Sequence, residues 1–278
     1  MAEITAKMVA DLRKSTGAGM MDCKKALSEA NGDFDEAVRV LREKGQAKAA
    51  KRLGNETKEG RMFAKVSECG KTAAMISLTC ETEPVAGVTE FVSFGEKVIE
   101  TVFNNEDLSI HDAELTEIRA ALGENITIKE NIRMEGDLVE SYIHTNKKVG
   151  VLLTLSIENN EMASNDDVKE LAKNLTLQIA SLAPKSVGRE DLDPKYVEEE
   201  KEILIVQLKE DPKNANKPRE ILEKIVEGRL GKIFAEACLL EQEYVKEKMQ
   251  VRELVESISK KVGTTVKVEK FVRYQIGG

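Results

Sequence analysis

Near residue 60 the apolar residues of this chain change period, from the three-and-four spacing of amphipathic helices to the alternation of strands, so neither an all-helical nor an all-strand fold can hold it. Before the change, Ile4, Met8, Val9 and Leu12 make one helical stripe that Gly17 stops. A second helix runs from about Met20 to Ala30, with Met21, Ala26 and Leu27 available for burial, and ends at the turn pair Asn31-Gly32. Asp33 and Glu36 have capping-box spacing ahead of a third, in which Ala37, Val38 and Leu41 point inward before Gly45. A three-helix bundle this small is marginal alone, which suggests a docking module tethered to something larger. The stretch Gln46 to Leu53 continues as a basic, alanine-rich helix and breaks at Gly54-Asn55, closing a first unit of residues 1–55. Lys48, Lys51 and Arg52 could meet an acidic surface there, although a solvated helix face is the commoner explanation.

After the change, Arg61 to Ser67 and Thr72 to Thr79 read as a strand pair, Phe91 to Val102 as a helix, and Ile126 to Arg133 as a further strand. A comparable unit follows: Val139 to His144, a polar turn, Val149 to Ile157, a helix from about Asp166 to Leu182, and a last strand from Thr265 to Ile276. The order of strands, helices and strand in both units hints at a duplicated α+β core, residues 56–138 and 139–278, although no sequence repeat is visible. Inserted in the second unit, at about 190–232, is a helical arm. Pro194 to Glu210 and Pro218 to Lys232 both carry apolar stripes and form an antiparallel hairpin. Such an arm either packs on its own core or mates with another chain, and the second is favoured because an exposed stripe needs cover.

At 278 residues, two or three domains are the expectation. With 42 lysines and arginines against 50 aspartates and glutamates, the net charge of −8 argues against a nucleic-acid binder that relies on its overall field. No apolar run approaches the roughly 20 residues that span a bilayer, and the amino terminus lacks a signal-peptide core, so a cytoplasmic protein is expected. Cys23, Cys69, Cys80 and Cys238 are scattered and there are two histidines, His111 and His144, which makes a zinc site or other metal cofactor unexpected and reduced thiols the natural reading. Phosphate-loop, nucleophile-elbow and zinc-protease motifs do not occur, and nothing marks out a pair of carboxylates, so the sequence speaks for binding rather than bond-making.

The segment Leu12 to Leu27 is built for contact or for packing. Gly17 and Gly19 permit a sharp break, and Met20 and Met21 lie about 100° apart around the helix axis, so one can face a core while the other stays exposed. Taken alone it is equally a packing element with both methionines structural.

Together with Glu29 to Asp33, Lys48 to Asn55, Gly123 to Ile126, Glu135 to Asp137, Ser141 to His144, Val149 to Leu152 and Val226 to Arg229, this segment resembles the bacterial elongation factor Ts family, with the pieces in the family's order. The resemblance implies a ubiquitin-associated-like (UBA-like) amino-terminal domain, a core of two related α+β halves, and a helical hairpin that pairs two copies in some members. It implies elongation factor Tu as partner, and promotion of GDP release without catalytic residues or cofactors. It further implies that Arg13, Met20, Met21 and Lys24 meet the partner's nucleotide-binding domain, with Arg52 contacting it from the linker helix. Leu122, Gly123 and His144 would face the partner from the core, and Val245 would lie near its third domain.

Two departures stand out. The family's Thr-Asp-Phe-Val motif, whose aspartate and phenylalanine wedge between partner helices, reads Thr82-Glu83-Pro84-Val85. An aromatic wedge can bury on the order of 150–250 Å², whereas proline offers far less and is expected to hold Glu83 extended. Val85 or Phe91 could substitute, or exchange could depend more on Leu122, Gly123 and His144. The family also commonly continues with a further helical module after the position of Ile276, so a smaller contact area is expected. Two readings follow: a guanine-nucleotide exchange factor, or a partner-binding paralogue with weak or no exchange.

Overall fold

The computed structural model describes residues 4–16, 18–210 and 217–277; the expected break at Gly17 and the Pro212 part of the arm's turn fall outside them. Helices α1 (Ala6–Thr16), α2 (Met20–Glu29) and α3 (Phe34–Arg52) pack around Val9, Leu12, Cys23, Ala26, Leu27 and Ala37. The Asp33 carboxylate accepts the Glu36 N–H at 2.8 Å and starts α3, but the Glu36 carboxylate turns to Arg39, leaving half a capping box. Helix α3 runs unbroken through Gly45 into the basic, alanine-rich stretch. A Cβ at Gly45 would sit 3.0 Å from both the Cβ and the carbonyl oxygen of Ala120, so this glycine permits close approach of another helix rather than a turn.

Two three-stranded antiparallel sheets follow, giving an α+β chain. The first joins β1 (Glu59–Val66), β2 (Thr72–Cys80) and β3 (Thr127–Glu135) in that order, with α4 (Glu83–Ala86), α5 (Thr89–Phe103) and α6 (Asp112–Leu122) between its second and third strands. The second joins β4 (Leu138–Ile143), β5 (Val149–Ile157) and β6 (Val266–Gln275) in the same manner. Between β5 and β6 come α7 (Asp166–Leu182), α8 (Pro194–Glu210), α9 (Arg219–Ala237) and α10 (Val251–Val262).

The sheets lie face to face. Met62, Ala73, Met75 and Met134 of the first meet Val139, Leu152 and Ile276 of the second. A Cβ at Gly150 would be 2.6 Å from the Met75 sulfur, so the layers touch closely there. On the outer faces, Ala74, Ile76 and Leu78 of β2 pack with Phe91, Phe94 and Val98 of α5, and Val151, Leu153 and Leu155 of β5 pack with Leu171, Leu175 and Ile179 of α7. Each central strand is covered on both sides, which is why β2 and β5 read as nearly continuous apolar runs.

In α8 and α9, Ile205 and Leu208 meet Leu222, Val226 and Leu230, while nearer the base Val197 meets Phe234. These pairings run in opposite directions along the two helices. Helix α10 was not anticipated, although Val251, Leu254, Val255 and Ile258 have helical spacing. Among the described residues no helix is long and apolar enough to cross a membrane.

Candidate functional site

Helix α2 begins at Gly19, whose extended backbone lets its carbonyl accept the Cys23 N–H at 2.9 Å. Cys23, Ala26 and Leu27 then face the bundle core. Met21 lies about 200° around the axis from Cys23 and is 66% exposed, while Met20, one turn ahead of the buried face and beyond the core's end, is 57% exposed. The expectation that Met21 is available for burial is therefore corrected: both methionines are surface groups, pliable and apolar. Met20 joins Ala6, Ala10, Arg13 and Lys14 of α1, and Val88, Glu90 and Leu122 from the first core half, around one open cleft of about 600 Å³. Lys24 lies exposed on the following turn of α2.

Beside that cleft the chain turns from β2 into α4. Glu83 is the first residue of α4, not extended as expected. Proline at the next position fits because first-turn N–H groups have no partner within the helix. Thr82 stays extended, and its contacts fix where the helix starts. The Glu124 carboxylate, just past the end of α6, accepts the backbone N–H groups of Glu81 at 3.1 Å and Thr82 at 3.0 Å and the Thr82 hydroxyl at 2.5 Å. In return the Glu81 carboxylate accepts the Asn125 N–H at 2.7 Å, the Asn55 amide at 2.9 Å and the Arg52 guanidinium at 3.1 Å. Burial acts to raise the pKa of Glu81, but the Asn125, Asn55 and Arg52 donors outweigh it and hold the carboxyl below its ordinary range. Arg52 is thus committed to an intramolecular ion pair, with its side chain 45% exposed. The Asn125 amide donates to the carbonyls of Leu53 and Asn55, so the linker joins the same network.

Glu83 and Pro84 are exposed and Val85 half-buried against the first core half. Phe91, considered as a substitute wedge, is wholly buried beneath β2 and cannot reach a partner. Gly123 closes α6 in the left-handed conformation, φ 71°, and its N–H donates to the Arg119 carbonyl at 2.9 Å. Leu122 and Gly123 thereby share one surface with Thr82 to Val85.

The turn between β4 and β5 approaches from the other half. Met62 of β1 donates its N–H to the Lys147 carbonyl at 2.7 Å, and Lys148 forms an ion pair with Glu59. That ion pair sets the turn beside β1, the strand α4 packs against, and Glu59, with a weaker contribution from Glu83, keeps the Lys148 ammonium above its ordinary pKa. His144 is exposed on it, with Nδ1 2.9 Å from the Tyr142 hydroxyl. Val245 stands apart from these groups. It is 53% exposed, and its N–H donates to the side chain of Gln178, a fully buried glutamine of α7 that also binds the Glu243 carbonyl.

The sequence profile of the family described as "Elongation factor TS" matches residues 81–278. An elongation factor Ts from Symbiobacterium thermophilum is 43% identical over all of this chain and 93% of its own length. The chain belongs to the elongation factor Ts family. Elongation factor Ts proteins of Lawsonia intracellularis, 38% identical, and Desulfovibrio desulfuricans, 41% identical, are each matched over 99% of both chains. The chain thus spans nearly the whole length of those two relatives. Within it, the residues that sequence reasoning missed are Glu81, Glu124 and Asn125. The run Gly123 to Ile126 carried the resemblance, yet nothing local indicates that Glu124 reaches back 42 residues to Thr82.

Proposed function

We propose that this member of the elongation factor Ts family promotes release of GDP from elongation factor Tu during translation. The observation that carries the reading is the juxtaposition of the Thr82 to Val85 turn with Leu122 and Gly123, beside an exposed methionine pair and the Arg13 side of α1. Exchange is a linkage problem: a factor that binds the nucleotide-free partner more tightly than the GDP-bound one must weaken GDP by the same ratio. It needs no catalytic acid or base, only contacts that fit a distorted nucleotide site. In this reading Arg13, Met20, Met21 and Lys24 dock on the partner's nucleotide-binding domain, Glu83, Pro84 and Val85 with Leu122, Gly123 and His144 act on the nucleotide and magnesium region, and Val245 touches a further domain. Arg52 contributes mainly by holding Glu81.

The division of labour follows the expected units: a UBA-like docking domain at 1–55, core halves at 56–138 and 139–278, and a hairpin at about 190–232. Ile203, Val206 and Ile221 are exposed on that hairpin and would be the face through which two copies pair.

The test is release of labelled GDP from the cognate elongation factor Tu. Substoichiometric amounts should accelerate it many-fold, and an unchanged rate at saturating protein would sink the proposal. A second reading, binding without exchange, draws on Pro84 standing where an aromatic wedge is usual and on Phe91 being buried. Under it the complex forms, release stays slow, and Glu83→Asp with Pro84→Phe restores it.

A further inference from the structure

We infer that Glu124 is a positioning residue for exchange, the centre of a reciprocal carboxylate clamp that makes one rigid unit of the Thr82 to Val85 turn, the Leu122-Gly123 turn and the linker from the amino-terminal helices. The inference rests on the exchange reading and deepens it. Its physical basis is the crossing of two carboxylates: Glu124 accepts the N–H groups of Glu81 and Thr82, and Glu81 accepts the N–H of Asn125. Each loop therefore supplies the acceptor for the other's backbone. Glu124 is only 9% exposed and Asn125 5%, so water competes poorly for these bonds. Charge-assisted bonds of this kind are roughly twice as strong as neutral ones.

The clamp matters because α4 has four residues and no cap from its own side chains. An isolated turn of that length does not hold its shape in water. Glu124 fixes the two residues that lead into the helix, through the N–H groups of Glu81 and Thr82 and the Thr82 hydroxyl, and Asn125 extends the same unit to the carbonyls of Leu53 and Asn55. A turn that pushes on a partner's nucleotide site transmits that push only as far as its own support is stiff. With proline in place of an aromatic wedge, stiffness of the turn is the property left to this chain. Initial docking, by contrast, is spread over α1, α2 and Val245, which the clamp does not touch.

The experiment compares the full chain with Glu124→Ala, Glu124→Gln and Thr82→Val, using release of labelled GDP from elongation factor Tu over a concentration series together with amide hydrogen exchange of the free protein. Glu124→Ala should lower the saturating release rate at least tenfold while moving the half-saturating concentration less than threefold. It should also lose protection at the Glu81 and Thr82 amides while the amides of β2 keep theirs. Glu124→Gln, which retains an acceptor oxygen, should recover most of the rate. Thr82→Val removes only the hydroxyl bond and should lower the rate about threefold; it decides the matter if Glu124→Ala does not fold. A saturating rate within twofold of wild type in Glu124→Ala, or in Thr82→Val if Glu124→Ala does not fold, overturns the inference, as does a loss in that variant that appears only in the half-saturating concentration. Failure of the wild-type chain to accelerate release sinks the exchange reading itself and is told apart by that control.

Discussion

The exposed methionines and the four thiols make opposite demands on single side chains. Met20 and Met21 make no core contact, so replacing both with alanine should leave unfolding free energy within about 0.5 kcal/mol. The same change should weaken the complex with elongation factor Tu at least tenfold, about 1.4 kcal/mol, in a titration; unchanged affinity would remove them from the interface. Cys69 is exposed at the β1–β2 turn, and the Ser67 hydroxyl 3.4 Å away, with the Lys71 N–H and charge, lowers its thiol pKa. Burial, aided by the Glu124 charge, pushes Cys80 up to about 12, and Cys23 and Cys238 are also buried. A maleimide near neutral pH should therefore add once to the native chain, at Cys69, and to all four thiols only after unfolding; multiple native adducts read by mass spectrometry would contradict this packing. Much at this scale was legible from type and spacing: Ala26 and Leu27 do face the bundle core. The exposure of Met21 was not, because one helix turn carries too little apolar pattern to say where a small core ends.

Helices and strands show what pattern alone conveys. Central strand β5 has the bounds its apolar run suggests, and so does α7, which stops where Ala183 turns left-handed before Pro184. The alternation of β6 slips from Val266 and Val268 to Phe271, and the structure accounts for it by a one-residue register shift where Leu155 pairs with Val268 but Thr154 with Lys270. Helix on both sides of Gly45 was legible in the sequence, but the role of this glycine was not, because it depends on Ala120, which is remote in sequence. Gly45→Val should force α3 off α6 and cost about 1–3 kcal/mol in denaturant unfolding, whereas unaltered stability would mean that the helices do not touch there. The clamp between β2 and α6 adds a pH dependence. Because the folded-state pKa of Glu81 is held below 4.5, its contribution to stability is present above that value and lost as pH falls through the lower, folded pKa. Glu81→Gln should flatten that part of the acid unfolding curve; an identical curve would show that the carboxylate is not stabilised by its donors.

Taken whole, the molecule is a pair of similar sheets packed face to face with helices on both outer faces, and the amino-terminal helices lean on α6 through Gly45 and the Arg42–Glu117 ion pair. That arrangement gathers Arg13, Met20, Leu122, Gly123 and Thr82 to Val85 on one side, although they are scattered over more than a hundred positions of sequence. An α+β chain with strands close to the observed ones was legible in the pattern, but this gathering was not, since side-chain bonds between loops leave no periodic trace. Exchange by this chain is at root thermodynamic: it requires a preference for the partner without nucleotide. The chain's affinity for elongation factor Tu should be measured by titration calorimetry with the partner nucleotide-free and again saturated with GDP and magnesium. Binding to the nucleotide-free form should be at least tenfold tighter, matched by an equal loss of GDP affinity in the complex. Equal affinity for the two forms would contradict exchange, however tight the binding.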